Sequence, residues 1–256
     1  MLIDYHVHVT GHDEYEFTSQ RIYKYIRQAH AAGLSEIGLL EHDEYWQKID
    51  FNLLKSMQRD NPDIKIRSGL EIDFIPGREK YIHSIIMSAP WDFLIGSVHY
   101  IEGWGFDHPD YKDKFESGNI DSIFEQYYSL IVQTADSGLF DIIGHLDLIK
   151  IWGHNPMKKS AYAWAEPVLK KIKAAGLVVE INSAGLRKPV KEIYPSQQII
   201  EQMFRLNIPV TLGSDAHNPE QVGEELVNCV ELLNKIGYRS MICFERRKHR
   251  VIPLNL

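Results

Sequence analysis

Two histidines stand one residue apart, at His6 and His8, inside the apolar, strand-like run IDYHVHV (3–9). Side chains at i and i+2 of a strand share a face, with backbones about 6–7 Å apart, so both imidazoles can turn toward one cation. The same spacing recurs at Asp215 and His217 in LGSDAH. Further metal-binding side chains follow apolar runs: His42 in EIGLLEH, Glu71 in SGLEIDF, His99 in LIGSVHY, His145 in DIIGHLD and Glu180 in LVVEIN. A lone strand histidine is more often a core or surface residue than a ligand, and HxH alone is weak. Glu71 is harder to dismiss, because an ionised carboxylate among apolar strand residues costs several kcal/mol unless paired or metal-bound. Taken together, these residues point to a cluster of divalent cations.

The elements that must position these residues alternate along the chain. Short apolar runs at 2–6, 36–42, 65–74, 92–100, 140–148, 177–185 and 208–217 read as strands. Amphipathic segments at 22–33, 50–60, 80–89, 120–138, 161–176, 196–207 and 220–237 read as helices. Repeated strand–helix alternation predicts parallel strands with crossover helices. In an α/β barrel the C-terminal strand ends converge on one mouth, which would bring every candidate ligand together. No linker or low-complexity segment divides residues 1–256, so one domain is expected.

Composition narrows the partners. There are 28 Lys+Arg against 35 Asp+Glu, a net charge of −7, which argues against a nucleic-acid or anionic-membrane surface. A small anionic substrate then needs a local positive site, such as bound metal. The two cysteines, Cys229 and Cys243, form no framework, and the start MLIDYHVHV lacks the pattern of a secretory leader, so a reducing cytoplasm is expected. No window reaches the roughly 18 apolar residues of a membrane span.

The segments DYHVH, LLEHDE, SGLEIDF, IGSVHYIEGWGFD, IGHLDLIK, EINSAGLRKPVKEIYPS and LGSDAHNP occur in this order. In order and spacing they resemble the polymerase and histidinol phosphatase (PHP) superfamily, and within it the histidinol-phosphate phosphatases. The resemblance spans nearly the whole chain. It implies a distorted TIM-like (β/α)7 barrel carrying three divalent ions, with zinc, manganese or iron as candidates. Carried over by position, His6, His8, Glu71 and Asp215 would hold one ion, and Glu71 would bridge to a second held by His99 and His145. His12, His42 and His217 would take the third. His12 departs from the pattern, following His8 more closely than in many relatives, and its alternative is an exposed loop histidine beside Asp13 and Glu14.

The implied activity is hydrolysis of L-histidinol phosphate to L-histidinol and phosphate. Phosphate monoester hydrolysis is among the slowest uncatalysed reactions, requiring accelerations approaching ~10²¹-fold. Metal ions about 4 Å apart can hold a bridging hydroxide and neutralise phosphoryl charge. Glu71 and Asp215 are thus expected at the reaction centre. Arg187, with Lys188, reads as the phosphate clamp, since an arginine fork fits phosphate geometry. Glu41, Asp43, Asp107, Tyr100 and Trp104 are candidates for the amine and imidazole of the substrate, and Asn182 shares a strand face with Glu180 at the mouth. His30, His83, His108, His154 and His249 fall outside the proposed set. Alternatives are a sister phosphoesterase acting on a nucleotide or phosphotyrosine, an amidohydrolase-type enzyme, and a non-catalytic barrel subunit.

Overall fold

The computed structural model describes residues 1–254. The single-domain expectation for 1–256 therefore includes two residues, 255 and 256, that lie outside the described residues. In chain order the elements are β1 (Leu2–His8), α1 (Ser19–Ala31), β2 (Leu34–Leu40), α2 (Phe51–Asp60), β3 (Lys65–Asp73), α3 (Glu79–Ser88) and β4 (Phe93–Ser97). They continue with β5 (Tyr100–Ile101), β6 (Trp104–Gly105), α4 (Asp113–Ser117), α5 (Ile120–Asp136), β7 (Ile142–Ile143), α6 (Ala161–Ala175), β8 (Val178–Asn182), α7 (Gln197–Arg205), β9 (Val210–Gly213) and α8 (Leu226–Ile236). A hairpin, β10 (Ser240–Glu245) and β11 (Lys248–Pro253), follows.

Seven strands form one sheet in the order β1-β2-β3-β4-β7-β8-β9, and their pairings are parallel. The sheet curls until its ends meet. His8 N donates to Ala216 O at 2.8 Å and Ala216 N donates to His6 O at 3.1 Å, pairing β1 with the chain just beyond β9. The result is the distorted TIM-like α/β barrel expected from the sequence.

The strands are apolar on both faces because helices cover the outside and side chains fill the inside. Phe93 is the central filler: its ring lies 4.7 Å from that of Tyr5 and occupies the space where a Cβ at Gly38 or Gly69 would stand. Full burial of such a ring contributes about 2–3 kcal/mol. Four of the helices begin at side-chain caps, with Thr18, Asp50, Asn119 and Ser160 accepting from backbone N–H groups of α1, α2, α5 and α6.

Three differences from expectation have local causes. The predicted strand 140–148 is reduced to Ile142–Ile143 because the chain turns at Gly144, where a Cβ would collide with Ser97 and Ile95. The helix expected from 220 begins at Leu226, since Pro219–Gln221 form a separate tight turn and Glu225 adopts φ +62°. The β10–β11 hairpin was not expected at all. It is pinned to the N-terminal end of the barrel: Phe244 N donates to Tyr5 Oη at 2.8 Å, and Arg250 reaches Glu36 Oε2 at 3.2 Å. Among the described residues, no helix is long and apolar enough to cross a membrane.

Candidate metal centre

Strand alternation carries His6 and His8 to the same inner face at the C-terminal end of β1, both fully buried. Across the barrel, β3 delivers Glu71, whose carboxylate is the hub of the site. Its Oε2 lies 3.2 Å from His6 Nε2, 3.3 Å from His8 Nε2 and 3.2 Å from His42 Nδ1. Its Oε1 lies 2.9 Å from His145 Nε2 and 3.7 Å from His99 Nε2, and accepts from Ser97 Oγ at 2.7 Å. Asp215 closes the ring from beyond β9, with Oδ1 at 3.6 Å from His6 Nε2, 3.7 Å from His8 Nε2 and 3.5 Å from His217 Nδ1. Asp215 holds φ +53°, an uncommon conformation for a non-glycine residue and one of the kind that clusters at functional sites.

Outer carboxylates orient the rings. Glu180 Oε1 sits 2.7 Å from His6 Nδ1, and Asp73 Oδ1 sits 2.6 Å from His99 Nδ1, leaving the Nε2 atoms to face inward. Glu180 also accepts from His145 N and from Asn182 Nδ2. Burial works against charge on His6, yet Glu180, Glu71 and Asp215 outweigh it and hold its pKa well above the ordinary value. Burial would likewise raise Glu71 and Asp215, but the surrounding imidazoles, His6 foremost, hold both well below the usual carboxylate range. Burial lowers His8 and His42, and, together with His8, takes His217 down to about 3.

The donor set fits divalent cations. His6 Nε2, both ring nitrogens of His8, His42 Nε2, His145 Nδ1 and His217 Nε2 are buried without a hydrogen-bond partner, an arrangement that is costly unless something electrophilic joins them. Four overlapping groups gather ligand atoms within 4.8 Å of one another: His6–His8–Glu71, His6–His145–Asp215, His42–Glu71–His99 and His8–His42–His217. His12 stands apart from these groups. It is exposed, with φ +57°, but its ring stacks on that of His217 at a centroid distance of 4.3 Å and it lines the pocket above.

That pocket is a cavity of about 530 Å³ over the cluster. Of the predicted substrate residues, Asp43, Tyr100, Asp107 and Lys188 line it, and four others do not. Glu41 is buried behind the site, accepting from Thr10 N at 2.8 Å and Thr10 Oγ1 at 2.7 Å, and burial pushes its pKa up to about 7. Trp104 packs on Phe115 and Phe106, and Asn182 spends its side chain on Glu180 and on Ala184 N. Arg187 turns away from the cavity: its guanidinium donates to Glu224 Oε2 at 3.0 Å, Ser214 O at 2.6 Å and Asp215 O at 3.2 Å. Sequence reasoning missed Asp73, Arg78, Tyr111 and Tyr194, all of which line the cavity. Asp73 was legible in principle, because it lies two residues beyond Glu71 on the same strand.

Comparison with known proteins gives the family and the fold. The sequence profile of the PHP domain matches residues 4–184. A protein of Deinococcus radiodurans named "Probable histidinol-phosphatase" is 39% identical over 188 residues, covering 72% of this chain and 70% of its own length. The "Histidinol-phosphatase" of Lactococcus lactis subsp. lactis is 26% identical over 269 residues, covering 96% and 95% of the two chains. The crystal structure of histidinol phosphate phosphatase from Lactococcus lactis subsp. lactis, complexed with zinc, L-histidinol and phosphate, superposes with a TM-score of 0.77 at 23% identity, covering 97% of this chain and 98% of that one. The chain belongs to the PHP domain family and, within it, to the histidinol-phosphatase branch.

Proposed function

We propose that this protein hydrolyses L-histidinol phosphate to L-histidinol and phosphate with the help of divalent metal ions. The observation that carries the proposal is Glu71, one buried carboxylate with imidazoles around both oxygens at the base of an open cavity. The names of the relatives, at 39% and 26% identity, and the L-histidinol and phosphate in the Lactococcus lactis structure support the substrate.

In this proposal three ions are held, one by His6, His8, Glu71 and Asp215, one by Glu71, His99 and His145, and one by His12, His42 and His217, with zinc, manganese or iron as occupants. Divalent ions at such donors supply Lewis-acid charge to phosphoryl oxygens and lower the pKa of water toward neutrality. The chain's own groups do the rest. Glu180 and Asp73 orient His6 and His99 so that Nε2 faces inward, toward the place a cation would take. Lys188 offers a cation to the phosphoryl group. Asp43 and Asp107 supply acceptors for the amine and imidazole, and Tyr100 supplies a ring wall. Arg187 acts through Asp215, whose backbone it holds.

Residues 1–256 act as one domain in this proposal, in the cytoplasm, with both cysteines as free thiols. Nucleic acid is not a partner, consistent with the net charge of −7.

The test is phosphate release from L-histidinol phosphate with and without chelator, alongside a panel of nucleotide, phosphotyrosine and simple alkyl esters. Loss with chelator, rescue by a divalent ion and preference for L-histidinol phosphate are expected. Preference for a nucleotide ester would overturn the substrate assignment.

A further inference from the structure

Tyr194 lies in the segment that follows β8, 1% exposed, and lines the cavity with its ring 6.5 Å from that of His145. Its hydroxyl is buried and has no hydrogen-bond partner. Leaving such a group unpaired is costly, and phenylalanine would fill the same space without that cost. The backbone that carries it is also held in place. Tyr194 N donates to Asn182 O at 2.9 Å, and Tyr194 O accepts from Asn182 N at 2.6 Å. Lys150 Nζ stands 5.5 Å from the ring centroid, itself fixed by Asp147 Oδ2 at 2.9 Å, Glu192 Oε2 at 2.7 Å and Ile193 O at 2.8 Å. A donor this rigid loses little freedom on binding a ligand.

The chemistry of the cavity narrows the ligand. Asp43, Glu44, Asp73 and Asp107 all line it and can only accept when ionised, so the cationic end of a substrate is well served. Donors are scarce. The Arg78 guanidinium is engaged by Asp43 Oδ2 at 2.6 Å, Arg187 faces elsewhere, and Lys188 remains. A phosphoryl group brings several acceptor oxygens to this end of the cavity, where Tyr194 stands beside the imidazole cluster.

We infer that Tyr194 Oη donates a hydrogen bond to a phosphoryl oxygen of the bound ester, making Tyr194 a substrate-binding residue. The inference rests on the phosphatase proposal above.

The experiment titrates inorganic phosphate into the full-length, metal-loaded protein by calorimetry, comparing wild type, Tyr194→Phe and Tyr128→Phe. Tyr128 is the control, because its hydroxyl is equally buried and unpartnered yet stands outside the cavity. The expected result is a phosphate Kd raised about 10-fold or more in Tyr194→Phe, with metal content unchanged and the melting temperature not lowered, and no change of phosphate Kd in Tyr128→Phe. Turnover should fall by one common factor for L-histidinol phosphate and p-nitrophenyl phosphate. An unchanged phosphate Kd, as expected if the hydroxyl holds only a water, would overturn the inference. So would a loss confined to L-histidinol phosphate, or a loss of bound metal. If the wild type releases no phosphate from L-histidinol phosphate, the substrate proposal falls while the phosphate titration still decides the role of Tyr194.

Discussion

Glu180 Oε1 stands 2.7 Å from His6 Nδ1, so the proton on that ring is held on the side facing away from Glu71. The inward Nε2, 3.2 Å from Glu71 Oε2, is the atom that would face a bound cation. Outer partners of this kind typically contribute 10–100-fold to metal affinity. Glu180→Gln preserves the shape and removes the charge. Competition titration with a chromogenic chelator should show divalent-metal affinity falling by about 10–100-fold. Unaltered affinity would mean that His6 needs no orienting partner.

Glu71→Gln removes the hub charge while keeping its volume. Phosphate release is expected to fall by more than about 100-fold, together with the metal content of the purified protein. Full metal content with full activity would break the link between this carboxylate and the chemistry.

Arg187 and Lys188 are adjacent, yet their variants should separate. Arg187 holds the carbonyls of Ser214 and Asp215, so Arg187→Ala should lower stability by about 1–3 kcal/mol and loosen metal retention. Lys188→Ala, losing a group that faces the cavity, should raise KM with metal content intact. If Arg187→Ala altered KM alone, the guanidinium would have to reach the substrate after all.

The chain should unfold at alkaline pH earlier than ordinary charge repulsion dictates. Burial pushes the hydroxyls of Tyr5, Tyr127, Tyr128 and Tyr238 above their ordinary pKa, helped by Glu36 at Tyr5 and by Asp147 at Tyr127 and Tyr128. The folded chain keeps these protons after the unfolded chain has lost them. Their contribution is therefore complete below about pH 10 and is lost as pH rises beyond it. The buried thiols of Cys229 and Cys243, pushed up to about 12 and about 11, add an earlier loss from about pH 9. Urea unfolding from pH 8 to 11 should show the midpoint falling past about pH 9 and more steeply past about pH 10, and a flat profile would contradict these burials.

How far the sequence was legible follows the regularity of the backbone. His6 and His8 could be paired because strand geometry repeats every two residues; Asp215 and His217 share the spacing but lie beyond the end of β9, with Asp215 at φ +53°, so the strand expected over 208–217 stops short of them. Loops obey no such period. Nothing in RKP shows that Arg187 turns outward while Lys188 turns inward, because a short 3-10 turn ends at Arg187 and Lys188 is already extended. Tyr194 was equally hidden, since its position depends on pairing with Asn182 across a connection. The β10–β11 hairpin escaped because its turn, with Arg246 and Arg247 at positive φ, reads as a basic run without the glycine or asparagine that usually marks a hairpin.

The seam between Val7 and Ala216 joins two stretches more than two hundred residues apart in sequence, and the ligands His6, His8, Asp215 and His217 flank it. A nascent chain still missing its last strand therefore lacks half of this junction and can offer only scattered imidazoles to solution. Once the ring shuts, a captured cation would act as a clasp across its two ends. Amide exchange at β1 and around Ala216 should slow on metal addition more than exchange on the far side of the barrel.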